Sequence, residues 1–260
     1  MRIIRFIYLI ISIIAVSVVF SLSIINRMNQ FVPVLLMVPI LMPNYYLRTA
    51  DRKKTASIIM DYSFNCDPTL LITNIDSYKK KCILSKKQKK IFDIYKCMGF
   101  LDYGAFDDAL KVLMEIEDAG ISFDDITNVL FMKTWCDYFY LNNQNVKMKQ
   151  GLLRLKDYIT KSSNDNIKQG SKLMYQALEA KYYILVGENL EKARNLYSNT
   201  INMAPSKLNV TKALYELALI DIKQNNYHDA MDKLNRVVSA NDKLYVVRRA
   251  KDLINMYNNK

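Results

Sequence analysis

The residues of this chain that could do chemistry are four cysteines, one histidine and a few paired carboxylates. Cys66, Cys82, Cys97 and Cys136 form no C-x-x-C, the spacing that would offer two thiolates to one metal or to a redox disulfide. They read as buried or half-buried free thiols in a reducing compartment. His228 stands alone, which excludes sites built on two histidines, and "NNYHDA" places it at a helix start, exposed or capping. Asp107-Asp108 and Asp124-Asp125 also fall at helix starts, where negative charge complements the helix dipole, so they read as caps. Neither G-x-x-x-x-G-K-[ST] nor G-x-G-x-x-G, the phosphate-cradling loops, occurs. The sequence therefore predicts no catalytic residue, no metal site and no cofactor. The chain reads as a non-enzyme whose function lies in its surfaces.

Two apolar runs open the chain. Residues 3–25 carry one charge, Arg5; residues 31–47 carry none but contain Pro33, Pro39 and Pro43. A helix crossing the bilayer needs about 20 apolar residues. The first run meets that length and, with no small-x-small site after it, is too long for a cleaved signal. The second is predicted to cross as a proline-interrupted helix, with a re-entrant or interfacial path as the rival. Arg48, Arg52, Lys53 and Lys54 follow it, so the positive-inside bias places everything after residue 47 in the cytoplasm. Residues 48–90 hold 11 Lys and Arg against 4 Asp, whereas residues 91–260 hold 23 against 21 acids. Arg48, Arg52, Lys53, Lys54, Lys79, Lys80 and Lys81 are thus predicted to face anionic lipid head groups, at about 1 kcal/mol each. No aromatic-lined groove, zinc spacing or recognition-helix motif accompanies the charge, so nucleic acid is not the expected partner.

Beyond the membrane segments the pattern is helical. The chain has 6 glycines, and after residue 43 its only prolines are Pro68 and Pro205. Asp67-Pro68 reads as an N-cap followed by proline at the first helical position, and Ser85 with Gln88 has capping-box spacing. Gly104 separates a helix over 86–103 from one over 106–118. Gly120 ends the second, and Ser122 or Asp124 starts the next. Asn142-Asn143 and Asn225-Asn226 are turn-like breaks. Helices of roughly 14 to 19 residues joined by short loops make an α-hairpin array. Aligning small residues that have a large apolar residue four later gives Ala109, Gly151, Ala193 and Ala230, with Gly151 the divergent member. Their spacings are 42, 42 and 37 residues.

Three segments carry the repeat. "FLDYGAFDDALKVL" supplies Phe100, Gly104, Phe106, Ala109 and Leu113; "GENLEKARNLYSNTINMAP" supplies Ala193, Tyr197 and Pro205; the last repeat supplies Leu214, Leu217, Ala218, Tyr227, Ala230, Leu234 and Val237. On these residues the chain resembles the tetratricopeptide repeat (TPR) family over residues 90–258. Asp221 stands where the family has a first-helix aromatic, and the spacing is longer than the family's. The resemblance implies hairpins that stack and share a core, with Gly104 reversing the chain and Ala109 at the close crossing. It also implies a concave groove lined by the first helix of each pair, which binds a protein or peptide. Candidate groove positions are Met98, Leu101, Asp102, Tyr182, Leu185, Tyr215, Leu219 and Lys223. Trp135 is expected in the core.

The expected fold is all-α, an N-terminal transmembrane helical hairpin followed by a TPR-like α-hairpin solenoid. Residues 1–47 form the anchor, 48–90 a basic juxtamembrane helical segment and 91–260 the repeat domain. The expected function is a scaffold or adaptor at the cytoplasmic face of the cell membrane. Two rivals are an assembly factor outside the cell on a single anchor, and a basic nucleic-acid-binding membrane protein.

Overall fold

In the computed structural model, placement is described for residues 53–82, 84–120, 123–203 and 206–258, together with Ile14 and Ser17. The predicted membrane segments over 3–25 and 31–47 lie outside the described residues apart from those two positions, as do Arg48, Arg52, Ser122 and Pro205. Among the described residues no helix is long and apolar enough to cross a membrane.

The described chain is all-α, with 11 helices and no strand among the described residues. They are α1 (53–65), α2 (Pro68–Lys81), α3 (Lys86–Tyr103), α4 (Phe106–Asp118), α5 (Asp125–Leu141), α6 (Asn145–Lys161), α7 (Asp165–Val186), α8 (Leu190–Met203), α9 (Lys207–Lys223), α10 (Tyr227–Val237) and α11 (Tyr245–Asn258). The start signals act locally. Asp67 Oδ1 accepts the Thr69 and Leu70 amides at 3.0 and 3.2 Å. Ser85 and Gln88 make both bonds of the capping box. Asp124 accepts the Thr127 amide at 2.9 Å and so begins α5. The helix lengths vary more than the sequence pattern predicts: α7 runs 22 residues because nothing stops it before Gly187, while α10 has only 11.

The chain divides into two compact units. The smaller includes described residues 53–60, 76–82 and 84, with Ile58, Tyr78, Cys82 and Leu84 buried. The larger comprises Asp61–Ile75 and Ser85–Lys260 and holds four helical hairpins, α3/α4, α5/α6, α7/α8 and α9/α10, with α11 after them.

All four first helices end in the same way, and past its left-handed Gly187 the α7/α8 turn holds one residue more than the others, Asn189, also at positive φ (48°). The amides of Ala105, Gln144, Glu188 and Asn226 donate to the carbonyls of Phe100, Phe139, Tyr183 and Asp221, each five residues back, at 2.9 to 3.1 Å. The residue just before each donor has positive φ: Gly104 (83°), Asn143 (55°), Gly187 (79°) and Asn225 (61°). This is a Schellman ending, which needs a left-handed residue and favours Gly or Asn for it. The shared helix ending corrects the register of the second repeat. Four residues into each second helix, bonded back to the residue that opens it, stand Ala109, Met148, Ala193 and Ala230. Met148, not Gly151, is thus the counterpart of the alanines. All four are fully buried.

Each hairpin shares its core with the first helix of the next. Cys97, Leu101, Ala109 and Leu113 pack with Tyr138 of α5. Val129, Cys136, Met148, Leu152 and Leu155 pack with Ile167 and Leu178 of α7. Ala180, Ile184, Ala193 and Tyr197 pack with Ala213, Leu217 and Ile220 of α9. No hairpin could bury its apolar faces alone. Asp221, wholly buried on α9, has Arg194 of α8 and Lys233 of α10 each at 2.7 Å, ion pairs whose angles fall outside hydrogen-bond geometry.

The larger unit closes on itself. Tyr245 at the start of α11 lies edge-on to Phe106 at 5.1 Å, and a Cβ at Gly104 would come within 2.8 Å of its ring. Arg248 donates to the Tyr103 carbonyl and lies over the Tyr103 ring. Lys243 pairs with Asp67 at 2.7 Å. The last helix therefore rests on the turn of the first hairpin, and Gly104 serves both its left-handed backbone and this approach.

Candidate functional site

The winding of the array decides what its two sides can offer, and α5 shows both. Phe131, Trp135 and Phe139 recur at four-residue steps and share one face of the helix. Lys133, Asp137 and Tyr140 lie on the opposite face.

The inner face is filled by charge. Asp137 is 8% exposed and receives Lys133 at 2.5 Å and Lys181 of α7 at 2.7 Å. Burial alone would raise its pKa, but the two ammonium groups outweigh that and hold the carboxyl well below the usual range. The same pairing raises the Lys181 pKa against the opposing effect of its burial. Glu216 of α9 accepts the Tyr140 hydroxyl at 2.5 Å. Its burial raises its pKa, and Lys181 and Tyr140 offset that only in part. Asp102 of α3 accepts from Lys212 of α9 at 2.5 Å and from the Tyr62 hydroxyl of α1. The inner faces of α3, α5, α7 and α9 thus meet one another through a connected polar network.

The residues named for a concave groove sit in several different settings. Asp102 joins the inner network. Leu101 is 3% exposed within the core of α3, α4 and α5. Tyr182 and Leu185 pack on the α5–α7 core, and Leu219 on the α7–α9 core. Tyr215 is buried, with Arg249 near its hydroxyl; burial first, then the Glu216 charge, raises its pKa. Met98 is half-buried, and Lys223 is exposed at the end of α9.

The outer face of α5 floors a cleft between α4 and α6 with a volume of about 350 Å³. Phe131, Met132, Trp135 and Phe139 form its floor, and Lys147, Gln150, Gly151 and Arg154 of α6 form one wall. Glu117 of α4 stands opposite. Trp135 stacks on Phe139 at 5.4 Å and 26°, and Phe131 meets Trp135 edge-on at 6.5 Å, so the rings are mutually fixed. The cleft lies where α4 and α5 touch little, whereas α6 packs along α7 and α8 along α9. Gly151 keeps the wall low: a Cβ there would sit 2.9 Å from Cys136 Sγ and 3.9 Å from the Phe139 ring. Trp135 packs, partly buried, against the core of α3, α4 and α5 as the sequence suggests, and its remaining side faces the cleft, a placement that depends on the gap between α4 and α6 and leaves no mark in local spacing.

The other chemical candidates lie apart from the cleft. All four cysteines are buried and in no disulfide, and burial pushes the Cys136 thiol up to about 12. His228 is exposed, with Asp229 Oδ1 at 3.4 Å. Asp107 and Asp108 occupy the first turn of α4. Among the described residues no group of three or more His, Cys, Asp or Glu is placed to hold a metal ion. Lys79, Lys80 and Lys81 form the last turn of α2; Lys53, Lys54, Lys80 and Lys81 are exposed and Lys79 half-buried. Compared with family models, curated proteins and solved structures, the chain matches none.

Proposed function

We propose that this chain is a membrane-anchored, TPR-like adaptor that holds a protein partner at the cytoplasmic face, through the outer side of its helix array. The observation that carries the reading is the α5 cleft, whose fixed, partly buried aromatic floor is only partly covered by the packing of α4 and α6. Pockets of about 300–1,000 Å³ with an apolar lining and few polar groups are where proteins bind ligands. The anchor part of the proposal rests on the apolar run over residues 3–25 and the basic residues after 47. Tethering raises the local concentration of whatever the cleft holds.

The test is crosslinking of the full-length protein in its own membranes, beside a Gln150→Phe variant that fills the cleft from its wall. A partner captured by the wild type and lost in the variant supports the adaptor. Absence of any partner from either, or a reporter fused after residue 60 that reads as exterior, overturns the corresponding half of the proposal.

A further inference from the structure

We infer that the α5 cleft takes a short acidic peptide segment carrying a bulky apolar side chain between two carboxylates. This inference rests on the adaptor reading and names the chemistry of the partner. Three observations support it. The floor is aromatic and fixed, which suits one or two large side chains rather than a folded domain.

The wall is cationic and uncommitted. Lys147 and Arg154 are exposed, and neither has an ion-pair partner among the described residues. The inner cations Lys133, Lys181 and Lys212, by contrast, are each paired at 2.5 to 2.7 Å. Charges left open beside an apolar floor complement a partner of opposite sign and set its orientation. Glu117 on the facing wall adds polarity across the cleft, so the acidic edge of a peptide lies toward α6 and its other edge toward α4.

Spacing sharpens the motif. Lys147 and Arg154 are seven residues apart on α6, about 10 Å at 1.5 Å per residue. A peptide in the polyproline II conformation advances about 3.1 Å per residue with about three residues per turn, so carboxylates three positions apart share one edge and match them, with the apolar anchor between. Such a segment lies outside the array, on the side opposite the polar network.

The molecule carries its own reporter, because Trp135 is its only tryptophan. The probe is the peptide Gly-Ser-Glu-Phe-Leu-Glu-Ser-Gly, which lacks tryptophan, titrated into the full-length protein while Trp135 emission is followed. A twin with Lys in place of both Glu, and a twin with Ala in place of Phe and Leu, serve as comparisons. The acidic peptide is expected to shift the emission saturably and both twins to bind at least about tenfold more weakly. Lys147→Glu with Arg154→Glu should reverse the preference toward the Lys twin. Lys149→Glu with Lys156→Glu, on the opposite flank of the same helix, should leave it unchanged.

Equal binding of the acidic and Lys peptides, or equal effects of the two variant pairs, overturns the proposal. So does displacement of the peptide by duplex oligonucleotide, which assigns the cleft to nucleic acid. Concentration-dependent dimerisation abolished by Lys147→Glu assigns it to a second copy and overturns the peptide as well. The adaptor reading fails separately. A partner crosslinked equally well by the Lys147→Glu and Arg154→Glu variant leaves the adaptor standing and removes the cleft from it, whereas no partner at all removes the adaptor.

Discussion

Two carboxylates on the inner side of the array feel opposite environments. Asp137 lies between two ammonium groups that outweigh its burial, while burial dominates at Glu216, with only Lys181, Lys212 and the Tyr140 hydroxyl against it. Their effects on stability therefore have opposite signs with pH. The lowered pKa of Asp137 supplies stability that is present above the ordinary aspartate pKa, about 3.9, and is lost as pH falls toward its folded value. The raised pKa of Glu216 supplies stability that is present below the ordinary glutamate pKa, about 4.3, and is lost as pH rises through its folded value. Denaturant melts from pH 2 to 8 should show Glu216→Gln gaining on the wild type as pH rises, since Gln still accepts the Tyr140 hydroxyl and does not titrate. Asp137→Asn should be weaker by about 3 kcal/mol at pH 7 and converge on the wild type in acid. Parallel curves for both variants would contradict this assignment. None of this was legible in the sequence, because Asp137 and Glu216 fall on different hairpins and look like ordinary surface acids along their own helices.

Helix α6 shows how a repeat keeps its architecture while losing its signature. The other three second helices place alanine where they cross their partners; α6 places Met148 there, fully buried and flexible enough to fill the gap. Close approach then occurs one turn later, where Gly151 meets Cys136. Gly151→Ala should gain about 0.5–1 kcal/mol in helix propensity but lose about 1–3 kcal/mol by crowding the Cys136 sulfur, a net loss. In Cys136→Ala the same Gly151→Ala change should become neutral or favourable, and urea unfolding of the four proteins in this cycle measures it. Additive effects would place the strain elsewhere. Element boundaries were readable because caps are local: Ser85 with Gln88, Gly104 and Asp124 act within a few residues of themselves. The register of the second repeat was not, because a small residue marks a crossing only when the crossing stays put.

At the scale of the larger unit, the return of α11 to the first hairpin sets it apart from an open stack. In an open stack each repeat touches only its neighbours, and damage at one end stays there. Here Tyr245 bears on Phe106 and Gly104, so Tyr245→Ala should speed hydrogen exchange in α3 and α4 as well as in α11. Faster exchange confined to α10 and α11 would mean that the ends behave independently. Hairpin composition was visible in the sequence; closure was not, because it depends on the summed rotation of four pairs, and no single residue encodes that sum. Closure also bears on how such a chain can change over time. A stack with two free ends can acquire or shed a member by duplication and deletion, and unequal crossing-over keeps its members alike. Where the last helix must land on the first turn, an added pair would carry α11 past Gly104, so the number of members is held fixed. Each hairpin then drifts alone, and the unmatched spacings between Ala109, Met148, Ala193 and Ala230 are the record expected of it.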